Sequence, residues 1–328
     1  MIIRTIDAHT AGEPLRLIVD GFPTVKGRSM LERREWVRKH ADHLRRALML
    51  EPRGHADMYG ALLTEPEREG SDAGVLFMHN EGYSTMCGHG VIAVVTIALE
   101  RGLIASARET IVLDSPAGPI EAAARMTGGR VTQVRFRNVP SFVLHAALPV
   151  RAGGRDVRVD VAFGGAFYAI VDSEAAGIPV DAARLADLRR VGMEIKRAVE
   201  AAITVAHPVE PRLTGVYGTI FTAPPSAEGA DLRNVTIFAD AEVDRSPCGT
   251  GMCAVMAVLS AMGLFGDGPT FVYDSIIGTR FRGRVAGTAT AGDFPAIVPE
   301  IEGEAHITGE HSFVIDDADP LKHGFRLG

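Results

Sequence analysis

The chain has 328 residues, 46% of them hydrophobic and 23% charged, which is typical of a folded globular protein and argues against a disordered one. A formal net charge of -7 provides no basic surface for nucleic acid, and no apolar run reaches the roughly 20 residues that a membrane helix needs. The length allows two domains of about 100 to 200 residues each.

The chain begins with a predicted strand over residues 1–7, without the basic and apolar regions of a signal peptide, so we expect a cytoplasmic protein. Apolar residues at helical spacing predict surface helices over residues 29–48 and 182–202. Alternating or β-branched segments predict strands over residues 16–19, 110–113, 131–136, 157–161 and 234–239.

The three cysteines, Cys87, Cys248 and Cys253, are too few and too widely spaced for a secreted disulfide framework. They also lack the CxxC pair and the spaced histidine partner of a zinc site. We therefore expect free thiols and no bound metal.

Residues 86–94 and 247–255 align without a gap, and the register continues to Gly102 and Gly263. The aligned cysteines, Cys87 and Cys248, lie 161 residues apart, close to half the chain. The simplest explanation is two similar halves. In each half a glycine-rich turn after the cysteine is expected to lead into a buried helix, over residues 91–101 and 252–262, surrounded by strands.

A cysteine just ahead of a helix has its sulfur near unpaired N–H groups and the positive end of the helix dipole, which lowers the pKa of a thiol. The same N–H groups can bind a carboxylate. The alternative for Cys87 and Cys248 is that they are small buried core residues. Cys253, inside the second helix and without a counterpart in the first, is expected to be core.

Other functions of these motifs fit less well. Neither glycine-rich turn has the GxGxxG or Walker pattern of a nucleotide site. A papain-like nucleophile formed by Cys87 and His89 leaves the duplication unexplained. Two thiol bases, by contrast, suit inversion of a stereocentre, in which one removes a proton and the other delivers one to the opposite face. No signature of an electron-sink cofactor is evident, so we expect none.

At these residues the chain resembles the proline racemase family, through residues 86–89 and 244–251. The similarity extends along the whole length and includes residues 9–14, 51–58, 164–168 and 217–219. The resemblance implies an α/β (α+β), diaminopimelate-epimerase-like fold with two pseudo-symmetric domains and the active site in the cleft between them. The expected domains are residues 1–125, completed by about 303–328, and residues 126–302.

The resemblance also implies roles for individual residues. Cys87 is expected to be the base acting on the L-isomer, and Cys248 its partner on the other face. Asp244 is expected to accept the ring NH2+ group, the alternative being a loop-capping residue. The expected contacts to the substrate carboxylate and amine are Gly88, His89, Gly249 and Thr250.

Five residues in the matching stretches receive no catalytic assignment. Polar roles are left open for His9, Glu13 and His55, whose alternative is hydrogen bonding within loops. Phe167 and Tyr168 are expected to be core, with a pocket wall as the alternative.

Within the family, racemases and 4-hydroxyproline epimerases keep both cysteines, whereas trans-3-hydroxy-L-proline dehydratases usually have threonine at the second. Cys248 is present here, yet residues 77–85 and 216–220 look more like the dehydratase branch. We therefore expect a 4-hydroxyproline 2-epimerase that also dehydrates trans-3-hydroxy-L-proline. The alternatives are a dehydratase, a proline racemase, a small amino-acid binding protein and a thiol redox sensor.

The expected partner is a small molecule, hydroxyproline or proline, and neither nucleic acid nor a membrane. The oligomeric state stays open, with a homodimer as one alternative.

Overall fold

The computed structural model describes residues 1–104, 110–266 and 268–327. It divides into two compact units, Met1–Phe136 together with the stretch that begins at Glu304, and Arg137–Gly303. Within the described ranges no helix is both long and apolar enough to cross a bilayer.

The described part of the first unit contains three helices, and most of its strands lie before residue 137. The helices are α1 (Met30–His40), α2 (Asp42–Met49) and α3 (Gly88–Glu100). The strands are β1 (Ile2–Thr10), β2 (Glu13–Asp20), β3 (Tyr59–Thr64), β4 (Ala73–His79), β5 (Tyr83–Ser84), β6 (Thr110–Ser115), β7 (Gly118–Thr127) and β8 (Arg130–Arg137).

The second unit follows directly. Its strands are β9 (Ser141–Ala152), β10 (Arg155–Phe163), β11 (Phe167–Asp172), β12 (Val216–Ala223), β13 (Leu232–Phe238), β14 (Glu242–Asp244), β15 (Phe271–Asp274), β16 (Arg280–Ala291) and β17 (Phe294–Gly303). Its helices are α4 (Ser173–Ala176), α5 (Leu185–Ala202), which a 3-10 turn over Ala182–Arg184 precedes, and α6 (Gly249–Ala261). The last strand, β18 (Ala305–Val314), belongs to the first unit.

The two units have the same strand order. In the first, the order is β18-β1-β2-β3-β4-β6-β7, with parallel pairs at β2–β3 and β4–β6. In the second, it is β9-β10-β11-β12-β13-β15-β16, with parallel pairs at the equivalent places, β11–β12 and β13–β15. The predicted internal repeat is therefore confirmed as a repeat of structure.

Each unit encloses one apolar helix. In α3 every residue from Gly88 to Ala98 is buried, and the helix packs on β1, β2 and β18. In α6 the first ten residues are buried, and the helix packs on β9, β10 and β17. Because both helices are apolar on all sides, each has to bury its whole circumference, and strands surround both. Gly102 and Gly263, with φ of 64° and 71°, follow the two helices in the left-handed conformation, as expected of the residue after a helix C-cap.

Two predicted helices differ from the structure in their boundaries. The helix expected over residues 29–48 is interrupted at Ala41, where φ is -132°. The break orients Arg45 so that its guanidinium donates to the backbone oxygens of His79 and Asn80, a tertiary contact that periodicity does not record. The helix expected over residues 182–202 forms as predicted, apart from the 3-10 turn at its start.

The glycine-rich segments after Cys87 and Cys248 were expected to be turns, and this prediction is wrong. Helices α3 and α6 begin at Gly88 and Gly249, so these glycines form the first helical turn. Each cysteine is therefore the N-cap residue of its helix, closer to the free N–H groups than the sequence suggested.

Candidate active site

The first half-site centres on the sulfur of Cys87, at the start of α3. Its Sγ accepts a hydrogen bond from the N–H of Gly90 at 3.2 Å, as an N-cap side chain does. The Nδ1 atom of His89 lies 3.2 Å from the same sulfur. Both side chains are buried, at 5% and 3% exposure, so this thiol and imidazole interact with little screening by water.

Neighbouring groups hold His89 in place. Thr10 Oγ1 donates to the backbone oxygen of His89 at 2.9 Å, and the ring of Tyr59 makes an edge contact with the imidazole at 4.7 Å between centroids. The hydroxyl of Tyr59 is in turn 2.6 Å from Ser84 Oγ. Strand β1 thus holds the backbone of His89, and strand β3 contacts its imidazole.

Gly90 has to be glycine for reasons of space. A Cβ at this position would lie 2.5 Å from Cε1 of Phe77 and 3.0 Å from Sγ of Cys87. The missing side chain lets the sulfur of Cys87 and the ring of Phe77 lie close to the first turn of α3.

The second half-site centres on Cys248, also 5% exposed, at the start of α6. Its backbone has φ of 61°, the left-handed region, whereas Cys87 is extended at -148°. Its Sγ lies 3.7 Å from the hydroxyl of Tyr168, and that hydroxyl lies 2.6 Å from Thr250 Oγ1. The two aligned cysteines therefore have different immediate partners, an imidazole in one half and hydroxyls in the other.

Asp244 belongs to this half-site and is only 4% exposed. Its carboxylate accepts from both the N–H and the hydroxyl of Ser246, at 2.8 and 2.7 Å. Burial raises the pKa of Asp244 to about 6, and the two hydrogen bonds only partly oppose this increase. A buried carboxylate in this state binds a cation well, because a positive charge offsets the cost of burial.

Burial raises the pKa of the Cys248 thiol strongly, and the negative charge of Asp244 raises it further. Hydrogen bonds from Thr236 and Tyr168 oppose this increase. The N–H of Gly251, in the first turn of α6, opposes it as well. The expected net lowering of the thiol pKa is nevertheless wrong at Cys248, since lost solvation and a nearby carboxylate outweigh the helix N-terminus. Cys248 is a thiol in the ligand-free protein.

Cys253 is fully buried inside α6, and burial raises the pKa of its thiol. The prediction that it is a core residue is confirmed.

The structure thus groups the predicted site residues into two sets. Gly88 and His89 lie with Cys87, while Gly249, Thr250 and Asp244 lie with Cys248. Sequence reasoning gave no role to three polar neighbours, Tyr59, Thr236 and Ser246, and it considered Tyr168 as core or pocket wall without the contact to Cys248. Ser246 had a local signal, because Asp-x-Ser typically forms a side-chain to backbone turn. The others come from distant strands and had none.

The three polar residues whose roles were left open in the sequence analysis have different surroundings. The Nδ1 atom of His9 accepts from the N–H of Gly12 at 3.3 Å, which agrees with a loop hydrogen bond. His55 is exposed, with its ring near its neighbour's backbone oxygen. Glu13 is fully buried.

A protein-family model described as proline racemase matches residues 5–326. The chain belongs to the proline racemase family. This confirms the family predicted from the cysteine motifs, and relatives named as epimerases, racemases and dehydratases place the chain among enzymes of the isomerase and lyase classes.

Two relatives in the proline racemase family align over almost the full length. Trans-3-hydroxy-L-proline dehydratase of Bacillus thuringiensis subsp. konkukian is 48% identical, over 100% of this chain and 98% of its own. The 3-hydroxyproline 2-epimerase of Burkholderia multivorans is 45% identical, over 98% of this chain and 97% of its own.

A solved structure from the same family confirms the predicted fold class. The hydroxyproline epimerase of Agrobacterium vitis, crystallised with bound trans-4-hydroxy-L-proline, matches with a TM-score of 0.93 and 31% identity, covering 99% of this chain and 96% of its own. The α/β fold with one enclosed helix per half is therefore that of the proline racemase family.

Proposed function

We propose that Cys87 and Cys248 are the two bases of a cofactor-independent enzyme that moves the Cα proton of a free hydroxyproline. The observation that carries this proposal is the pair of buried cysteines at the N-cap positions of equivalent apolar helices, α3 and α6. A sulfur in this position adjoins N–H groups that can bind the substrate carboxylate, next to the carbon to be deprotonated.

The different surroundings of the two cysteines suit opposite roles at the start of a cycle. Cys248 begins as the thiol, and Cys87, beside the imidazole of His89, acts as the thiolate base that takes the Cα proton of the L-isomer. Cys248 then delivers its proton to the other side of Cα. The proposal requires both sulfurs to reach one carbon atom.

The remaining site residues are proposed to bind the charged groups of the substrate. Asp244 accepts the ring NH2+ group, since a positive charge of the substrate offsets the cost of burying this carboxylate, which the N–H and hydroxyl of Ser246 hold in place. The carboxylate binds to the first turns of α3 and α6. The contributing residues are Gly88, His89, Gly249 and Thr250.

Two observations bear on the position of the hydroxyl group on the substrate ring. The sequence favoured 4-hydroxyproline, which is also the compound bound in the Agrobacterium vitis structure. The Bacillus thuringiensis and Burkholderia multivorans relatives, 48% and 45% identical, carry names that specify 3-hydroxyproline. We therefore place trans-3-hydroxy-L-proline first, before 4-hydroxyproline and proline.

Dehydration of trans-3-hydroxy-L-proline is a second candidate activity, favoured by the name of the 48% identical relative. In this substrate the Cα hydrogen and the 3-hydroxyl lie on one ring face. Cys87 alone can therefore take the proton and protonate the departing hydroxyl, giving an enamine that becomes the cyclic imine, with water released.

The test is incubation of each substrate in deuterium oxide, with NMR for deuterium at Cα, chiral chromatography for the epimer and mass spectrometry for the imine. Cys87→Ser should end both reactions. Cys248→Thr and Cys248→Ser should abolish epimerisation and spare dehydration; the serine variant is needed because a β-branched residue is strained at φ of 61°. Cys253→Ser is the matched control and should retain both.

Three outcomes decide between the alternatives. Tight binding of hydroxyproline without exchange of the Cα hydrogen would show a binding protein. Simultaneous loss of epimerisation and dehydration in both Cys248 variants would contradict the division of labour between the two thiols. Epimerisation of 4-hydroxyproline but not of the 3-hydroxy isomer would reverse our order of substrates.

The cytoplasmic location of the protein and its assembly as a homodimer stay predictions.

A further inference from the structure

Tyr168 is a fully buried residue whose hydroxyl is shared between two groups of the second half-site. It lies on β11, and its ring makes an edge contact with Tyr217 at 5.8 Å between centroids and an interplanar angle of 89°. Its hydroxyl is 2.6 Å from Thr250 Oγ1 and 3.7 Å from Cys248 Sγ. The family comparison and the cysteine motifs give this hydroxyl no role.

We propose that Tyr168 is a positioning residue that holds the sulfur of Cys248 in both of its protonation states, with Thr250 as the second member of a reversible hydrogen-bond chain. This inference rests on the proposed function, because only a two-base cycle requires one cysteine to be acid and base in turn.

The donor and acceptor in each hydrogen bond of this series follow from counting protons. When Cys248 is a thiol, its S–H donates to the oxygen of Tyr168, and the single phenolic proton then points to Thr250. When Cys248 is a thiolate, the phenolic proton turns to the sulfur and the Thr250 hydroxyl donates to Tyr168. Rotation of two O–H bonds changes the direction, and no heavy atom has to move.

The thiolate of Cys248 needs such a donor because its surroundings oppose a negative charge. The side chain is buried, and the carboxylate of Asp244 acts on the same sulfur. Burial also raises the pKa of Tyr168, so its phenol stays protonated and remains a donor. Cys87 has the imidazole of His89 at 3.2 Å instead, so the two half-sites solve the same problem with different groups.

The alternative is that Tyr168 is a core residue whose hydroxyl merely bonds to Thr250. Tyr168→Phe distinguishes the two, since it keeps the ring and removes the oxygen. Tyr273→Phe is the matched control: Tyr273 is also fully buried in the second unit, and its hydroxyl has no hydrogen-bond partner in the described structure.

The first measurement is the rate at which iodoacetamide alkylates each cysteine between pH 7 and pH 9.5, resolved by peptide mass spectrometry. Loss of one hydrogen bond to a charged sulfur raises its pKa by about one unit, so alkylation of Cys248 in Tyr168→Phe should slow about tenfold at a given pH. Alkylation of Cys87 in the same sample should not change. Tyr273→Phe should match the wild type at both cysteines.

The second measurement is turnover. Tyr168→Phe should lower epimerisation about tenfold or more and leave dehydration, which needs Cys87 alone, within about twofold of the wild type. Equal alkylation of Cys248 in Tyr168→Phe and wild type, or equal slowing at Cys87 and Cys248, would overturn the inference. If Tyr168→Phe does not fold, Tyr168→Met also removes the oxygen, fills the space with a flexible apolar side chain and should slow Cys248 alkylation in the same way.

The alkylation result does not depend on catalysis. A wild-type protein that exchanges no Cα hydrogen refutes the proposed function, while the comparison of Cys248 alkylation still decides whether Tyr168 holds the sulfur.

Discussion

Replacing Asp244 by asparagine should make the protein more stable and less active. The carboxyl is 4% exposed, and burial raises its pKa from 3.8 to about 6. Each pKa unit corresponds to about 1.4 kcal/mol, so the ionised carboxyl costs the folded state about 3 kcal/mol relative to the unfolded chain. Asparagine keeps an oxygen that can accept from Ser246 and carries no charge.

The pH dependence gives this prediction its sign. Because the folded protein holds the Asp244 proton more tightly than the unfolded chain, the free energy of unfolding of the wild type falls as pH rises from about 4 to about 6. The free energy of unfolding of Asp244→Asn should not show this decrease. It should be nearly equal to that of the wild type near pH 4 and exceed it by about 3 kcal/mol above pH 7, as measured by urea denaturation at several pH values.

Activity should change in the opposite direction. In the wild type, kcat/KM should fall below about pH 6, where Asp244 takes up a proton and no longer attracts the ring NH2+ group. In Asp244→Asn, kcat/KM should be low at every pH, with that acid limb absent. An unchanged kcat/KM would show that this carboxylate does not bind the substrate cation.

Asp114→Asn is the control for Asp244→Asn. Asp114 is also buried, but hydrogen bonds from the N–H groups of Arg68 and Glu67 and from the side chains of Ser71 and Arg68 together outweigh burial and lower its pKa. Its removal should destabilise the protein at neutral pH, with an effect that disappears in acid. If Asp244→Asn were also less stable than the wild type at pH 8, our account of the buried carboxylate would be wrong.

Two further variants test the scaffold of each unit. Gly164→Ala should lower the free energy of unfolding by about 1–3 kcal/mol in urea denaturation, because its Cβ would lie 2.2 Å from the backbone oxygen of Thr250 and would displace the first turn of α6. Gly287→Ala is the control and should be tolerated, because the space around its Cβ is open. Equal stability of the two variants would refute the clash. Arg16→Met should cost about 3–5 kcal/mol, since it leaves the buried carboxylate of Asp7 without its 2.8 Å ion pair. Arg38→Met is the control, because it removes an exposed ion pair, and it should not change the urea midpoint. A midpoint shift as large as that of Arg16→Met would show that burial does not determine how much an ion pair contributes to stability.

The sequence was sufficient for the features that local pattern determines. The apolar runs after Cys87 and Cys248 and the glycines that end them predicted two core helices, and their alignment predicted the repeat that strand pairing confirms. Cys253, without a counterpart in the first half, was correctly predicted to be core.

Features that depend on tertiary contacts could not be read from local pattern. The break at Ala41 accompanies the contact of Arg45 with the backbone of residues 79–80, and helical periodicity continues through it. The raised pKa of Cys248 depends on burial and on Asp244, whereas the sequence showed only the helix start. Tyr168 was expected to be core, and its burial is correct, but nothing near it in the sequence indicated the contact with Cys248.

The return of β18 to the first unit has a consequence for the order of folding during synthesis. Strand β1 pairs along its length with β18, from Ile2 with Val314 to Thr10 with Ala305, and the amino group of Met1 bonds the oxygen of Ile315. On the ribosome, every strand of the second unit emerges before the last partner of β1 is made. Although its residues are translated first, the unit that carries Cys87 is the last to be completed.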